Sequence, residues 1–150
     1  MRKLPLIIVT AIFILCTAHD SRALCVKTSK ANLRTGPGTG YDVVWEIFRY
    51  MPLVKVGVSV SGKWYAVKDV DGDVTWIYRD LVTSRYHCAV VKTETVNVRT
   101  GPGVHYRKSH ISPAKQYYSF KVEKIKGNWV NIKDEWGGRG WIHRNFLFIQ

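Results

Sequence analysis

The sequence has 150 residues, of which 23 are lysine or arginine and 11 are aspartate or glutamate, so its formal net charge at pH 7 is +12. This length suits one ordinary domain or two very small ones. The basic excess indicates an anionic partner. For a protein outside the cytoplasm, that means cell-wall polymers, lipid headgroups or acidic glycans rather than nucleic acid.

Residues 1–23 are predicted to be a signal peptide. Arg2 and Lys3 form a short basic region, residues 4–16 are almost wholly aliphatic, and Ser21 and Ala23 are small residues at positions that a leader peptidase reads. We expect cleavage after Ala23 and no transmembrane anchor, because the aliphatic run is shorter than the roughly 20 residues of a spanning helix. The mature chain is therefore expected to be exported, either to the periplasm or into the medium.

The basic residues are unevenly distributed along the exported part of the chain. Residues 24–87 contain 9 basic and 6 acidic residues, whereas residues 88–150 contain 11 basic and 4 acidic residues. The basic side chains singled out in the second part are Arg107, Lys108, Lys115, Lys121, Lys124 and Lys126. They are interpreted either as a solvated face that promotes solubility or as a surface for an anionic polymer.

An internal repeat with an offset of 65 residues is the most informative feature of the sequence. Residues 32–38, Asn-Leu-Arg-Thr-Gly-Pro-Gly, recur at 97–103 as Asn-Val-Arg-Thr-Gly-Pro-Gly. The same offset relates Tyr41 to Tyr106, Trp64 to Trp129, Trp76-Ile77 to Trp141-Ile142 and Arg79 to Arg144. The copies diverge between positions 42 and 61, where a shift of one residue is expected. We interpret the repeat as a duplication that gives two domains, residues 24–88 and 89–150.

Each copy has the pattern of short β-strands joined by tight turns. Residues 64–67 and 129–132 are rich in β-branched and aromatic side chains and follow turn residues. Asp71-Gly72 and Gly137-Gly138 suit hairpins, whose turns require a positive φ. No stretch of the mature chain sustains helical spacing of apolar residues. The predicted fold class is all-β, with each copy forming a small barrel closed on itself.

Cys25 and Cys88 are expected to form a disulfide. An even pair of cysteines in an exported chain is typical of an oxidising compartment. Cys25 precedes the first predicted strand of copy one and Cys88 follows its last strand. A bridge that closes this loop of roughly 64 residues would stabilise a barrel near the lower size limit by about 4 kcal/mol.

Three motifs, present in order in both copies, resemble those of bacterial Src-homology-3 domains. They are Asn-x-Arg-Thr-Gly-Pro-Gly-x-x-Tyr, Gly-x-Trp-x-x-Val/Ile and Trp-Ile-x-Arg-x-Leu/Phe. The resemblance implies a barrel of five or six strands in each half, a location in the cell envelope, and binding of wall peptides, wall glycans or a protein partner. It also implies that Trp64 and Trp129 occupy the place of the groove tryptophan of the eukaryotic relatives. Tyr78 and His143 then replace their groove proline.

The aromatic residues are divided by their position in the repeat. Trp76 and Trp141 begin short apolar runs and are predicted to lie in the core, whereas repeated aromatic residues that follow turns are predicted to be half-exposed. Trp136 has no counterpart in copy one, which indicates a contact specific to copy two. The predicted ligand-binding residues are Tyr41, Trp64, Tyr78, Tyr106, Trp129, Trp136 and His143.

The sequence predicts no catalytic residue, no metal site and no cofactor. The two Gly-Pro-Gly segments lack the features of a phosphate loop and are interpreted as turns. Residues 69–73 resemble the start of a calcium loop but are interpreted as a charged hairpin tip. The leading hypothesis is a non-enzymatic module that binds peptidoglycan or another anionic envelope polymer. The alternatives are a protein–protein adaptor and a small wall hydrolase that uses Cys25 as its nucleophile.

Overall fold

The structure, a computed structural model, describes residues 22–150. The predicted signal peptide lies outside the described residues apart from Arg22 and Ala23, and Ala23 begins the first strand. Within residues 22–150, no helix has the length and apolarity needed to cross a membrane.

The prediction of an all-β fold is confirmed, because the described residues form fourteen strands and two 3₁₀ turns. The first half contains β1 Ala23–Val26, β2 Lys30–Arg34, β3 Val43–Phe48, β4 Pro52–Val58, β5 Trp64–Lys68, β6 Val74–Tyr78, the 3₁₀ turn Arg79–Leu81 and β7 Val82–Thr83. The second half contains β8 Cys88–Val91, β9 Thr95–Val96, β10 Ala114–Lys115, β11 Ser119–Lys126, β12 Trp129–Lys133, β13 Arg139–His143, the 3₁₀ turn Arg144–Phe146 and β14 Leu147–Ile149.

The strands form open antiparallel sheets, so the prediction of barrels closed on themselves is wrong. The first sheet has the order β3-β2-β6-β5-β4-β1-β7, and its end strands β3 and β7 do not pair with each other. β7 is only two residues long and pairs with β1, and most residues of β3 are exposed as an edge strand. The second half has a five-stranded sheet, β13-β12-β11-β8-β14, and a separate ribbon of β9 and β10.

The strand register locates the divergence between the two halves. β5 and β12 begin 65 residues apart, as do β6 and β13. Leu24 pairs with Leu53 in the first half, whereas Ala89 pairs with Phe120 in the second, which is an offset of 67 in the partner strand. The shift is therefore two residues rather than the one expected. The offset returns to 65 because the hairpin before Trp129 is two residues shorter than the one before Trp64.

Two hydrophobic clusters form the cores, and strand β8 contributes to both. Leu33, Leu53 and Ile77 belong to the first cluster, and Phe120 and Ile142 belong to the second. All four residues of β8 are buried. Val90 packs in the first cluster, whereas Ala89 and Val91 pack in the second. The side chains of one strand thus join the two halves.

The structure places the repeated tryptophans differently from the sequence prediction. Ile77 and Ile142 point into the cores, so Trp76 and Trp141, their neighbours in the strands, lie on the outer faces and are only half-buried. Trp64 also points outward but is 9% exposed, because the ring of Tyr78 packs against it. Alternation along a strand, not apolarity of the segment, decides which side chain enters the core.

The predicted disulfide between Cys25 and Cys88 is confirmed, with a Cα–Cα distance of 5.9 Å. Its position differs from the expected one at the two ends of a single barrel. Cys25 lies within β1 of the first sheet, and Cys88 lies within β8 of the second. The bond therefore links the two sheets, and the predicted boundary between residues 88 and 89 falls inside a strand.

Candidate functional site

A concavity in the first half is walled by two of the predicted ligand-binding residues, Trp64 and Tyr78. These residues are cross-strand partners of β5 and β6, so their side chains stand on the same outer face. Their rings meet edge to face with centroids 5.5 Å apart. The concavity has a volume of about 630 Å³, and Asn32 and Arg34 of β2 also line it. We call it the first pocket.

A second pocket of about 470 Å³ lies at the corresponding place in the second half. Trp129 and His143 are cross-strand partners of β12 and β13, and their rings also meet edge to face at 5.5 Å. Phe146 extends this wall, with its ring centroid 6.2 Å from that of His143. The structure therefore brings together the sequence-predicted residues in pairs, one pair in each half.

The two pockets correspond residue by residue at the offset of 65. The shared lining positions are Lys30 and Thr95, Ala31 and Val96, Asn32 and Asn97, Arg34 and Arg99, Thr39 and Val104, Trp64 and Trp129, Tyr78 and His143, and Leu81 and Phe146. Asparagine, arginine and tryptophan are identical in both pockets, whereas the partner ring changes from a phenol to an imidazole. The pockets thus share a tryptophan, an arginine and an asparagine. They differ at the ring that contacts the tryptophan and at Lys30, Glu46 and Lys63, charged residues that line the first pocket without a charged counterpart in the second.

Tyr41 and Tyr106, also predicted as ligand-binding residues, cover the Gly-Pro-Gly turns. The ring of Tyr41 lies directly against Gly36, where a Cβ atom would collide with the ring carbons, and Tyr106 lies against Gly101 in the same way. Tyr41 is 51% exposed and Tyr106 is 39% exposed. The glycines are therefore needed for close approach of these rings, and the rings cover the turns rather than forming the walls of the pockets.

The arginine of each pocket fixes the turn beside it. Nη1 of Arg34 donates to the backbone oxygen of Tyr41 at 2.7 Å, and Nη1 of Arg99 donates to that of Tyr106 at 3.0 Å. Because the bonded acceptors are carbonyl groups, the positive charge of each guanidinium is not neutralised by these bonds.

Trp136 lies in the turn that joins β12 to β13, at the opposite end of these strands from the paired Trp129 and His143, and it lines a groove between the two halves. This interlobe groove has a volume of about 520 Å³ and is lined by Ser29, Lys30, Trp45, Glu46, Phe48, Arg49, Met51, Gln116, Tyr117, Tyr118, Ser119, Glu135 and Trp136. Trp136 is 78% exposed. The ring of Tyr118 lies 6.4 Å from that of Trp136, and the rings of Trp45 and Tyr117 meet edge to face at 5.1 Å.

Polar contacts across the interlobe groove hold its two sides together. The hydroxyl of Tyr117 donates to Oδ2 of Asp71 at 2.9 Å, and the hydroxyl of Ser119 donates to the backbone oxygen of Arg49 at 2.7 Å. Nε of Arg49 lies 3.7 Å from Oε1 of Glu135. Sequence reasoning missed Tyr117 and Tyr118 because their partners lie in the other half or on distant strands, and neither belongs to a repeated motif.

A buried aspartate closes the β-hairpin in each half. Oδ1 of Asp69 accepts from the backbone nitrogens of Asp71 and Asp73 at 3.0 and 3.1 Å. Oδ1 of Asp134 accepts likewise from Trp136 and from Gly138. Burial raises the pKa of Asp69 above its ordinary value, despite these backbone hydrogen bonds. Residues 69–73 therefore form the hairpin tip that the sequence indicated.

Asp134 also accepts a hydrogen bond from Tyr118, a side chain of the interlobe groove. The hydroxyl of Tyr118 donates to Oδ2 of Asp134 at 3.3 Å. Burial, and then the nearby negative charge of Asp134, raise the pKa of Tyr118 to about 12. Both effects disfavour the phenolate, so Tyr118 remains a neutral donor over the physiological range.

The hydrolase alternative requires a free Cys25, and a metal site requires clustered ligand side chains. Both sulfur atoms of Cys25 and Cys88 are used in the disulfide, so Cys25 does not offer the thiolate that a cysteine hydrolase requires. Among residues 22–150, no group of three or more histidine, cysteine, aspartate or glutamate side chains is arranged to hold a metal ion.

Comparisons with known proteins identify the first half. Residues 27–83 match the family model of the bacterial SH3 domain. No curated protein sequence matches the chain. Solved structures similar to it include an NlpC/P60 family protein from Bacillus cereus ATCC 10987, with 10% identity, a TM-score of 0.38, and coverage of 85% of this chain and 56% of that one.

Two further solved structures have similar TM-scores to this chain. NlpC2 from Trichomonas vaginalis has 10% identity and a TM-score of 0.36, covering 87% of this chain and 49% of that one. The endolysin LysPBC5 CBD has 17% identity and a TM-score of 0.35, covering 85% of this chain and 93% of that one. The chain thus spans about half the length of the two NlpC-type proteins, and none of these likenesses indicates an activity. The family match carries the assignment: residues 27–83 of this protein form a bacterial SH3 domain.

Proposed function

We propose that this protein is a non-enzymatic, exported binding module that contacts peptidoglycan through its two tryptophan pockets. In this proposal, residues 24–88 and 89–150 are two SH3-like domains that follow a cleaved signal peptide. The observation that carries it is the recurrence of one pocket, at the same offset of 65 residues, with asparagine, arginine and tryptophan retained. Two similar pockets on one chain suit a polymer whose units repeat.

The chemistry of the pocket walls supports a glycan or a peptide stem as the ligand. The indoles of Trp64 and Trp129 with their partner rings offer apolar surface, against which a sugar ring or an extended peptide can pack. The arginine and asparagine that line each pocket supply hydrogen-bond donors that orient a polar ligand. A wall polymer presents both kinds of surface in every repeating unit.

The disulfide supports a location outside the cytoplasm. Disulfides such as Cys25–Cys88 persist in oxidising compartments and are rare where cellular thiols keep cysteines reduced. The match of residues 27–83 to the bacterial SH3 family also supports a role in the bacterial envelope. Together with the expected signal peptide, these features favour the periplasm or the cell exterior.

Retention of the purified protein on isolated peptidoglycan sacculi tests the proposal. We expect the wild type to be retained without any added extract, and the Tyr78→Ala/His143→Ala double variant to bind about tenfold or more weakly, because both pockets lose a wall. Each single variant should lose less, since the other pocket stays intact. Trp136→Ala is the matched control, because it removes an exposed aromatic residue outside both pockets.

Equal retention of the wild type and the folded double variant would overturn the pocket assignment. No retention of the wild type on sacculi would overturn peptidoglycan binding itself. Thermal melts of the variants, run in parallel, separate loss of binding from loss of folding.

The exposed interlobe groove favours a second candidate function, a protein–protein adaptor in the same compartment. Trp136 at 78% exposure, beside the rings of Trp45, Tyr117 and Tyr118, forms the kind of aromatic patch that protein interfaces bury. Retention on sacculi only when envelope extract is present, and its loss in Trp136→Ala, would favour this function over direct wall binding.

A further inference from the structure

A basic concavity surrounds Trp141 on the outer face of the second half, separate from the second pocket. It has a volume of about 520 Å³, and its lining includes Arg107, Lys108, Arg139 and Trp141. Trp141 is half-buried, and Arg107, Lys108 and Arg139 are exposed. Nζ of Lys124 lies 5.9 Å from the centroid of the Trp141 ring. Four cationic side chains are therefore gathered around one indole.

The first half has the same backbone arrangement at this place. Arg34 pairs with both Val43 and Trp76, and Arg99 forms the equivalent bridges with Lys108 and Trp141. The backbone nitrogen of Thr35 donates to Asp42, as that of Thr100 donates to Arg107. The strand register extends the equivalence to Val74 and Arg139, to Gly57 and Lys124, and to Val56 and Glu123.

The two halves differ in charge at these equivalent positions. At the positions equivalent to Arg107, Lys108, Glu123, Lys124 and Arg139, the first half has Asp42, Val43, Val56, Gly57 and Val74, of which only Asp42 is charged. Around Trp141, the corresponding positions hold four cations and one carboxylate, that of Glu123. Because the first half has the same turn and the same tryptophan without these cations, the cations are not needed to form the fold at this place. Their concentration around Trp141 needs another explanation.

The ion pairs of the second half leave much of this charge available. Arg139 is held by Glu123, with Nε–Oε2 and Nη2–Oε1 distances of 3.0 and 3.3 Å. Within residues 22–150, the structure shows no ion pair for the side chains of Arg107 and Lys108. Two exposed cations and one partly compensated guanidinium thus face a concavity with an indole beside it.

We propose that this concavity binds an acidic polysaccharide. Arg107 would pair with a carboxylate of the polysaccharide, since a guanidinium group binds a carboxylate with two parallel hydrogen bonds, and Lys108 and Arg139 would add positive charge beside it. Trp141 would contact a sugar ring, for which an indole beside polar groups offers apolar surface. A polymer with charge but no rings would leave the indole unused, so a carboxylated sugar chain is favoured over a simple polyphosphate. This site deepens the proposed function, on which it rests for the envelope location.

Polygalacturonate is a suitable probe, and the first half supplies the variant. The full-length triple variant Arg107→Asp/Lys108→Val/Arg139→Val carries the residues found at the equivalent positions of the first half, so the backbone there is compatible with them. We expect its dissociation constant for polygalacturonate to rise at least about tenfold and its dependence on salt to weaken, because several ion pairs are lost together. Calorimetric titration of the folded variant measures both effects.

A charge-matched control separates a site from general attraction. Lys27→Asp/Lys68→Val/Lys92→Val changes the net charge by the same amount at exposed positions away from the concavity. We expect this control to keep most of the affinity. An equal loss in both triple variants would overturn the site, because it would attribute binding to net charge alone.

Linear polyphosphate tests the predicted contact with the sugar. At matched charge and salt concentration, we expect it to bind more weakly than polygalacturonate. We also expect Trp141→Leu to weaken only the binding of polygalacturonate. Equal or tighter binding of polyphosphate, or no effect of Trp141→Leu, would overturn the assignment to a polysaccharide.

The same titrations distinguish this proposal from the proposed function. Tyr78→Ala/His143→Ala leaves the basic concavity intact and should bind polygalacturonate like the wild type, even if it no longer binds sacculi. A wild type that binds polygalacturonate but is not retained on sacculi would overturn peptidoglycan binding and keep this site. A wild type that is retained on sacculi but does not bind polygalacturonate would overturn this site and keep the proposed function.

Discussion

Cys25 and Cys88 are bonded across two different sheets, with their Cα atoms 5.9 Å apart and 63 positions apart in sequence. A cross-link over a loop of this length lowers the conformational entropy of the unfolded chain, which stabilises the folded protein by about 4 kcal/mol in the chain-entropy description. We expect Cys25→Ala/Cys88→Ala to lower the free energy of unfolding by about this amount. Denaturant titration measures it, with the chemically reduced wild type as the control. A loss below about 1 kcal/mol in both would contradict the expectation.

The second prediction compares two tryptophans of the first half. Trp64 is 9% exposed beneath the ring of Tyr78, whereas Trp76 is half-buried on the outer face. Truncation of a buried tryptophan typically costs about 3–5 kcal/mol. We therefore expect Trp64→Ala to lower the free energy of unfolding by more than Trp76→Ala does. Equilibrium unfolding of both variants decides the order, and the opposite order would show that Trp76 carries core packing.

The third prediction concerns the pH dependence of stability through Tyr118. Its pKa is raised from 10.0 to about 12, first by burial and then by Asp134. Because the folded-state pKa lies above the unfolded value, the contribution of the neutral phenol is complete below pH 10 and is lost as the pH rises through about 12. We expect the stability difference between the wild type and Tyr118→Phe to shrink over this window.

A phenolate absorbance titration checks the same assignment independently. The wild type should contain a phenol that ionises near pH 12, and Tyr118→Phe should lack it. A variant that retains the late-ionising phenol would show that another tyrosine is responsible. Tyr86, whose pKa burial also raises, is the first alternative.

The fourth prediction concerns the exposed indole of the interlobe groove. Trp136 is 78% exposed, and its backbone nitrogen, rather than its ring, donates to Asp134. We expect Trp136→Ala to change the free energy of unfolding by no more than about 0.5 kcal/mol, as is usual for exposed side chains. Acrylamide quenching should show that the variant has lost the most accessible tryptophan. A loss of 2 kcal/mol or more, on the order of a buried contact, would place Trp136 in a packed environment.

The repeat and the turns allowed much of the architecture to be predicted. The offset of 65 correctly predicted that β5 and β6 recur as β12 and β13. This was possible because the repeated tryptophan and glycine residues determine the short strands and hairpins from nearby sequence alone. The disulfide was predictable from cysteine number and compartment. The open sheets were not, since closure depends on whether the edge strands β3 and β7 meet, which no local pattern encodes.

The sites were only partly predictable from the sequence. Trp64 and Tyr78 could be named because both lie in repeated motifs, and cross-strand pairing then brought them together. Tyr117 and Tyr118 could not, because they become part of a groove only when the halves pack against each other. The burial of Trp64 and the exposure of Trp76 also depended on which face of each strand met the core, a property of register rather than composition.

The sharing of β8 between both cores has a thermodynamic consequence. Val90 packs in the first cluster while Ala89 and Val91 pack in the second. Unfolding of either half would therefore expose the side chains on one face of this strand to solvent. Heating should therefore produce a single calorimetric peak whose measured enthalpy equals the van't Hoff enthalpy, as for one cooperative unit. A ligand held by either half would then raise the melting temperature of the whole protein.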